Sequence, residues 1–479
     1  MSSRLENIAI RVMYLFNTMD SFLLISSAPF IVYSYLYRSG ILFGVHIYAL
    51  IFAYIVSYLC LKIADFHPLF LALTGLYAFF LWRLNPLLAK DALTVSVIMF
   101  ALTSLVQLFL MGLPMGLASR RIDVPFRIYL HSFFILSPTT ISLPLTVYYQ
   151  TLLIMAAKAV SLRPFGYDSL FLFFSLLAGA IIARTFRKKQ FIPAVFHPVS
   201  TGKRFRRAVI INIDGLSQHA FDKANPPFLK MLESNFTSVK GGAHTVYRAL
   251  TNPAFASILS GSAPEVHRVL SNNLGQQIRT EALPDFIDSR LYGSMHVKHF
   301  SRSSWNVTTV SLVGDGFDKA DGVLLKDVKQ DMKAFNSVEL WIIDLSQADY
   351  AGHAWGSYSK EYHEAILRSD AIVEDLILWM RREGLTRDSL IVISSDHGMF
   401  IGEHSFMISS QEEMVPLIFA GDGIVSKKIS GDVSILDIAA NISYCLGKRY
   451  CADSGGRVFT DMLGACDKEF LHKITRREN

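Results

Sequence analysis

The chain has 479 residues, more than an ordinary single domain, so at least two structural units are expected. Its net charge of +6 is uneven: residues 1–190 hold 15 basic and six acidic residues, a net +9, and the remainder holds 31 basic and 34 acidic residues, a net −3. Because the basic excess lies in the apolar part, the charge does not indicate nucleic-acid binding, and no nucleic-acid partner is expected.

Long apolar runs dominate residues 1–190, which are predicted to form an N-terminal all-α transmembrane domain. A helix needs about 20 apolar residues to cross a bilayer. Six runs approach or exceed that length, so about six spans are predicted, at residues 21–37, 41–61, 67–82, 92–117, 128–161 and 167–183. The run at 128–161 contains Pro138 and Pro144 and is either one kinked helix or a hairpin.

The side of the membrane on which the C-terminal part lies stays open. Basic residues cluster within 120–127 and 184–189, which with six spans favours the cytoplasm. Sequons at Asn235, Asn306 and Asn441 favour the opposite side if they are used. We expect an integral membrane protein with the lipid bilayer as its partner and the cell membrane as its location.

Beyond a basic linker predicted at 191–206, a second domain is predicted over residues 207–479. Short β-branched runs there alternate with amphipathic stretches such as Ser359–Met380, which has helical spacing. Buried strands are predicted at Ala208–Ile213, Leu340–Ile343, Leu390–Ile393 and Val415–Phe419. This alternation predicts an α/β domain with a mostly parallel central sheet and helices on both faces. The four cysteines match no disulfide or zinc-finger spacing and are expected to be buried or free thiols.

Aspartates and histidines follow three of these strands, in the segments Asp214-Gly215, Asp344 to His353 and Asp396-His397-Gly398. Ligands of open α/β sheets bind outside the carboxyl ends of the strands, where such loops converge. Asp and neutral His are suitable ligands for Zn²⁺, and two ions about 4 Å apart can hold both the attacking and leaving oxygens of a phosphoryl transfer. Two divalent ions are therefore expected, with zinc preferred and manganese as the alternative.

These motifs, taken in order, resemble the alkaline phosphatase superfamily, specifically its type I phosphodiesterase and nucleotide pyrophosphatase branch. The likeness covers roughly residues 207–425 and is specific only as a set. It rests on the segments IINIDGLSQHAF, LTNPAFASILSGSAPEVHRVLSNN, DLSQADYAGHAWGSYSKEYHEAILRSDAIVEDLI, SSDHGM and GEH.

The resemblance implies a set of site residues. Thr251 would be the catalytic nucleophile and form a covalent phospho- or nucleotidyl-enzyme, while Asn272, or its neighbour Asn273, would hold a non-bridging phosphate oxygen. One metal would be bound by Asp349, His353 and His404, and the other by Asp214, Thr251, Asp396 and His397. Ala254 and Phe255 depart from the pattern of nucleotide pyrophosphatases, which leaves nucleotide preference open.

Other residues of the C-terminal part match no ligand position or motif. Six histidines are interpreted as structural: His219, His244, His267, His296, His299 and His363. The stretch from Arg279 to Lys333 is interpreted by its position as an insertion that selects substrate.

The expected function is therefore a membrane-anchored, metal-dependent phosphodiesterase or phosphatase acting on a phosphoester substrate, which could be lipid-linked. The alternative is a phosphoethanolamine- or glycerol-phosphate-type transferase acting on lipid-linked or envelope glycans, since only the acceptor differs. A sulfatase is disfavoured because Thr251 stands where those enzymes need a Cys or Ser. A scaffold with an inherited fold is a further alternative.

Overall fold

The computed structural model describes residues 45–64, 72, 75, 76, 79, 82, 83, 85–134, 143–162, 167–186, 191–199, 202–272, 276–405 and 407–464. The chain forms two compact units, one of residues 3–114 and 125–188 and the other of residues 115–124 and 189–479. The predicted run at 21–37 lies outside the described residues, as does Cys466.

Most of the described residues of the N-terminal part are helical. Their helices are α1 (Ile47–Ala64), α2 (Pro86–Gln107), α3 (Leu113–Ser119), α4 (Asp123–Phe134), α5 (Leu143–Leu162) and α6 (Tyr167–Thr185), and a π-helical turn at Leu108–Gly112 follows α2. Within the described part of the chain, one helix, Pro86–Leu110, is long and apolar enough to cross a membrane. The shorter apolar helices are Ile51–Cys60 and Phe173–Thr185. The predicted six-span bundle thus has weak support, from one candidate span.

The second unit is an α/β domain. Its strands are β1 (Arg207–Ile213), β2 (Thr237–Val239), β3 (Ala243–His244), β4 (Ser289–Gly293), β5 (Asn306–Thr309), β6 (Leu340–Leu345), β7 (Ser389–Ser394), β8 (Met414–Val415), β9 (Leu417–Ala420) and β10 (Lys427–Ile429). Its helices are α7 (Gln218–Ala224), α8 (Pro227–Asn235), α9 (Thr251–Ser260), α10 (Pro264–His267), α11 (Val297–Phe300), α12 (Leu312–Asp315), α13 (Ala320–Ala334), α14 (Gln347–Trp355), α15 (Lys360–Arg382), α16 (Ser410–Glu413) and α17 (Asp437–Cys445), with 3₁₀ turns at Leu283–Asp285 and Thr460–Met462.

Three fully buried strands form the centre of the main sheet. β1 pairs in parallel with β6 on one side and β7 on the other, so that Ile210 lies beside both Ile342 and Val392. Every residue of these strands is buried, and strands covered on both faces have near-continuous apolar sequences. The full order is β10-β2-β9-β7-β1-β6-β4-β5, and only β9 runs antiparallel to its neighbours. The predicted mostly parallel α/β sheet is confirmed.

The predicted single strand at Val415–Phe419 is wrong. Met414–Val415 pairs with β3 in a separate two-stranded sheet, whereas Leu417–Ala420 joins the main sheet antiparallel to β7. Pro416 stands between the two pieces and has no N–H to donate to a ladder, so a continuous strand cannot pass through it.

The stretch 279–333 is not an insertion. It contributes β4 and β5, which extend the parallel sheet beyond β6, and the helix α13. Both strands are short and partly polar, SRLYG and NVTT, so periodicity alone did not reveal them.

Two further sequence predictions hold. The helix predicted at Ser359–Met380 is α15, which the Ser359 side chain caps by accepting a hydrogen bond from Tyr362 N–H. Cys60, Cys445 and Cys451 are buried and free.

Candidate metal centre

The predicted metal ligands meet at one edge of the sheet. Because β6, β1 and β7 are adjacent and parallel, their carboxyl ends lie together. Asp214 directly follows β1. The helix α14 starts two residues after β6 and carries Asp349 and His353 one helical turn apart. The predicted side-chain ligands fall into two groups, Asp349, His353 and His404 in the first ligand group and Asp214, Asp396 and His397 in the second.

In the first ligand group, two imidazoles and one carboxylate converge. His353 Nε2 lies 3.4 Å from Asp349 Oδ1 and 3.3 Å from His404 Nε2. The distance from His404 Nε2 to Asp349 Oδ1 is longer, 3.9 Å.

In the second ligand group, one imidazole faces two carboxylates. His397 Nε2 lies 3.4 Å from Asp214 Oδ1 and 3.4 Å from Asp396 Oδ2. All three side chains are at least 95% buried, with exposed fractions of 0–5%. Ligand atoms held about 2.0–2.2 Å from a tetrahedral ion lie about 3.3–3.6 Å apart. Four of the five separations fit that range, and the fifth, from His404 Nε2 to Asp349 Oδ1, is longer at 3.9 Å.

Hydrogen bonds orient the imidazoles of these groups. Nδ1 of His353 faces the Gly402 carbonyl at 2.8 Å, Nδ1 of His397 faces the Gly398 carbonyl at 3.0 Å, and Nδ1 of His404 faces the Ala249 carbonyl. A carbonyl only accepts hydrogen bonds, so each Nδ1 carries a proton, and Nε2 is the ring nitrogen left to bind a metal when the ring is neutral. Metal-binding histidines commonly donate their other ring N–H in this way.

Three carboxylate oxygens that these lone pairs approach have no hydrogen-bond partner. They are Asp349 Oδ1, Asp214 Oδ1 and Asp396 Oδ2, all buried. A buried carboxylate oxygen without a donor is costly, and a lone pair on nitrogen cannot relieve it. A divalent cation bound between them would pair with the carboxylate oxygens and with the nitrogen lone pairs. The residues present therefore fit the two expected ions.

The pKa values of three side chains in the centre are shifted by burial and by their neighbours. Burial raises the pKa of Asp396 to about 7, with repulsion from Asp344 and Asp349 adding to the effect. Burial and neighbouring carboxylates also raise the pKa of Asp214. Burial together with the other two imidazoles lowers the pKa of His404 to about 4, which keeps it neutral at physiological pH. Buried carboxyl groups that repel one another in this way take up protons, and a bound cation would relieve the same repulsion.

Thr251 is the first residue of α9 and lies beside the second ligand group. Its Oγ1 is 3.2 Å from His397 Nε2, and the residue is 8% exposed. The residue before α9, Leu250, makes no side-chain hydrogen bond to the first turn of the helix. The N–H groups and dipole of its first turn therefore favour an anion next to the Thr251 hydroxyl.

Asn272 is held against the same helix. Its Oδ1 accepts a hydrogen bond of 2.8 Å from the backbone N–H of Asn252. Because the amide oxygen must face that donor, the NH₂ group of Asn272 is directed elsewhere and can donate to a phosphate oxygen. Asn273, the alternative in the sequence, lies outside the described residues.

Two contacts position α14 and its ligands. The buried Asp321 accepts hydrogen bonds from Ser346 N–H at 3.0 Å and Gln347 N–H at 3.2 Å, and so caps the helix from a distant part of the chain. At Gly215, with φ of +72°, an added Cβ would lie 2.9 Å from the Cα of Asp349. Glycine is therefore needed for Asp214 and Asp349 to approach each other.

Sequence reasoning gave no role to two residues at this edge, His296 and Asp344. Their side chains lie beside Asp214, and the side chain of Asp344 is fully buried. His296, which is interpreted from the sequence as structural, forms an ion pair with Asp344 at 3.2 Å. The position of Asp344, just after the predicted strand Leu340–Ile343, could have indicated from the sequence that it lies near the site. The other five histidines interpreted as structural lie outside the ligand groups of the described chain.

The candidate ligands lie in a part of the chain that is similar to a known family. Residues 208–288 and 284–406 match the model of the family Type I phosphodiesterase / nucleotide pyrophosphatase. The matched residues include every candidate ligand and Thr251 and make up less than half of the chain.

Individual curated proteins are also similar to part of the chain. The chain is 26% identical over 201 residues to GPI ethanolamine phosphate transferase 1 of Candida glabrata, covering 36% of this chain and 21% of that protein. It is 25% identical over 237 residues to the catalytic subunit of GPI ethanolamine phosphate transferase 3 of Mus musculus, covering 42% of this chain and 20% of that protein. The chain thus spans about a fifth of the length of these relatives.

Solved structures similar to part of the chain include murine ectonucleotide pyrophosphatase/phosphodiesterase 5, with 10% identity, a TM-score of 0.43, and coverage of 51% of this chain and 95% of that one. Another is the alkaline phosphatase PafA, with 11% identity, a TM-score of 0.44, and coverage of 55% and 100%.

Proposed function

We propose that this chain is a membrane-anchored, metal-dependent enzyme of the alkaline phosphatase superfamily that cleaves phosphoesters through a covalent intermediate on Thr251. The observation that carries the proposal is the convergence of three oriented imidazole lone pairs on unpartnered buried carboxylates, next to a hydroxyl at a helix N-terminus. Asp349, His353 and His404 would hold one divalent ion, and Asp214, Thr251, Asp396 and His397 the other.

When bound, these ions would lower the pKa of the nucleophile and neutralise charge on the phosphoryl group. Thr251, once deprotonated, forms a bond from Oγ to phosphorus while the bond from phosphorus to the leaving alcohol oxygen breaks, and that oxygen departs as an alcohol after gaining a proton. Asn272 donates from its NH₂ group to a non-bridging oxygen, and the first turn of α9 orients the phosphoryl group. A second hydroxyl then attacks phosphorus and releases Thr251.

We propose that this second hydroxyl belongs to an acceptor molecule rather than to water. Support comes from the curated relatives, which are GPI ethanolamine phosphate transferases. The apolar helix Pro86–Leu110, long enough to cross a membrane, is in keeping with a lipid-linked substrate. The transferred group would then be phosphoethanolamine, with simple hydrolysis as the competing outcome.

The first test uses the full chain purified in detergent and loaded with zinc. An aryl phosphate diester and the matching monoester are supplied without an acceptor, and then a phosphoethanolamine-bearing lipid is supplied with and without a glycosylated lipid acceptor. We expect Thr251→Ala to reduce turnover by on the order of 10⁴-fold or more, because the nucleophile is removed. Thr251→Ser, which keeps the hydroxyl, should retain measurable activity.

Mass spectrometry after acid quenching is expected to find the adduct on the peptide that contains Thr251. Turnover only in the presence of the acceptor supports the transferase, and equal turnover without it supports a hydrolase. Full activity of Thr251→Ala would refute the covalent mechanism for either enzyme.

A further inference from the structure

An asparagine interrupts the apolar sequence of the central strand. β1 reads RAVIINI, every residue of it is buried, and Asn212 is its one uncharged polar residue. A strand that is covered on both faces is normally apolar throughout. Burying an amide there is costly unless protein hydrogen bonds replace those that the amide makes with water. The partners of Asn212 therefore indicate what the residue does.

Asn212 lies on the face of the sheet that carries the second ligand group. In the parallel register it is level with Asp344 on β6 and with Ser394 on β7. Side chains two residues apart along a strand point to the same face. Asp214 comes two residues after Asn212. Asp396 likewise comes two residues after Ser394, so the amide of Asn212 lies directly behind two of the predicted metal ligands.

The amide group of Asn212 joins two carboxylates. Its Nδ2 donates one hydrogen bond of 2.8 Å to Asp344 Oδ1 and another of 3.3 Å to Asp396 Oδ1. Both carboxylate side chains are 0% exposed. An ionised carboxylate only accepts hydrogen bonds, so the NH₂ group must face the two carboxylates and the amide oxygen must point away. Its two partners thus fix the orientation of Asn212.

This orientation leaves the amide oxygen unpaired. Within the described part of the chain, Asn212 Oδ1 is buried and accepts no hydrogen bond. A buried acceptor without a donor is costly, and an apolar side chain in this strand would avoid that cost. The stability of the strand by itself therefore does not explain the asparagine, whereas the two carboxylates that it joins do.

The second oxygens of the two carboxylates have different neighbours. Asp344 Oδ2 forms an ion pair with His296 Nε2 at 3.2 Å, so Asp344 is held at both oxygens. Asp396 Oδ2 lies 3.4 Å from His397 Nε2 and makes no hydrogen bond. Asn212 therefore links a carboxylate that is anchored at both ends to one that keeps an oxygen for a cation.

We propose that Asn212 is a positioning residue of the second ligand group. Its NH₂ group occupies Asp396 Oδ1 and directs Oδ2 to the metal site, so that Asp396 binds a divalent ion through one oxygen. Residues that hydrogen-bond to a metal ligand from behind typically change metal affinity by about 10- to 100-fold. This inference rests on the proposed function through the ion at the second ligand group, but it does not depend on the substrate.

The test measures zinc affinity. The full chain in detergent is stripped of metal, and its two zinc-binding steps are followed by competition with a chromophoric chelator. His397→Gln, which removes a ligand, identifies the step that belongs to the second ligand group. We expect Asn212→Ala to weaken that step by about 10- to 100-fold and to leave the other step unchanged, because only the second group contains Asp396.

Asn441→Ala is the matched control. Asn441 is also 0% exposed, and its amide donates hydrogen bonds of 2.8 Å to the carbonyl oxygens of Asp437 and Arg457. It lies outside the ligand groups of the described chain. Losing this buried amide should lower the melting temperature but leave both zinc-binding steps unchanged.

Two results would overturn the proposal. One is unchanged zinc affinity at both steps in folded Asn212→Ala, and the other is an equal loss at both steps, which means a general loosening of the sheet. If Asn212→Ala does not fold in a melting experiment, a crystal structure of the zinc-loaded wild type decides. Zinc on Asp396 Oδ2, with Oδ1 on Asn212, is expected, and zinc on Oδ1 overturns the proposal.

The proposed function fails separately. A wild type that binds two zinc ions but turns over no phosphoester refutes the activity, and the positioning role stands if Asn212→Ala still weakens the second step. Turnover by the wild type together with unchanged zinc affinity in Asn212→Ala keeps the activity and overturns the positioning role. A wild type that binds no zinc overturns both.

Discussion

The first and second ligand groups use the same residue types but are built differently. The first is partly exposed, with side-chain exposures of 28% for His353 and 12% for Asp349, and it depends on α14 and on the loop that carries His404. The second is buried at 0–5% and lies directly at the ends of β1 and β7. The central strands thus position the second ligand group directly. The first ligand group is positioned by the cap of α14 and by the close backbone contact at Gly215.

The largest difference is expected from removing one histidine of each group. His397→Gln should lower activity by about 100-fold or more, because its site is buried next to Thr251 and a water cannot readily replace the nitrogen. His353→Gln should cost about 10-fold, since water can reach the vacated position. Activity is measured against zinc concentration, and excess zinc should restore His353→Gln but not His397→Gln. Equal losses and equal rescue would contradict the contrast between the groups.

A smaller effect is expected from crowding the first ligand group. Gly215→Ala places a Cβ 2.9 Å from the Cα of Asp349, at a φ of +72° that disfavours alanine. A shift of about 1 Å in a reacting group can cost on the order of 10²-fold, so a loss of about 10- to 100-fold in turnover is expected.

Gly241→Ala is the matched control for that variant, because φ is +80° there and nothing lies within 4 Å of the added Cβ. Gly241→Ala should lose about 1–2 kcal/mol of stability from its backbone conformation alone. Gly215→Ala should lose more because of the added clash, and it alone should lose zinc from the first ligand group. If Gly241→Ala impairs turnover equally, the close approach to Asp349 is not the cause.

The smallest effect on activity is expected from altering Asp321, which caps α14. Asp321→Asn replaces one of two accepting oxygens by a donor and should cost about 1–2 kcal/mol of stability and only a few-fold in activity. Asp370→Asn is the matched control, because Asp370 caps α8 through Phe228 N–H and Leu229 N–H, away from the ligand groups. A weaker zinc affinity in Asp321→Asn alone would show that this cap orients the first ligand group.

The same residue makes stability depend on pH. Burial raises the pKa of Asp321 to about 7, above its usual value near 4. The contribution of a carboxyl group with a raised pKa is complete below about pH 4 and is lost as pH rises through about 7. Thermal melts should therefore show a steeper loss of stability from pH 5 to 8 in the wild type than in Asp321→Asn. Parallel profiles would mean that Asp321 does not titrate in this range.

The central strands of the sheet were predictable from the sequence, and the strands that were not predicted have physical reasons. Ala208–Ile213, Leu340–Ile343 and Leu390–Ile393 were recognisable because strands covered on both faces are apolar throughout. β4 and β5 were not, since short strands with polar residues resemble loops. Pro416 offered a signal that the last predicted strand was divided, and that signal was overlooked.

The residues that could meet at the centre were predictable from the sequence, because each ligand segment follows an apolar strand and parallel strands share one carboxyl edge. Asp349 and His353 were predictable neighbours on one helical face, since residues four apart lie one turn apart. The folded chain was needed to show which ligands form a group, that His296 and Asp344 adjoin Asp214, and that Asp321 caps α14. These contacts join residues far apart in the chain, and their distances depend on strand order and register, which local periodicity does not encode.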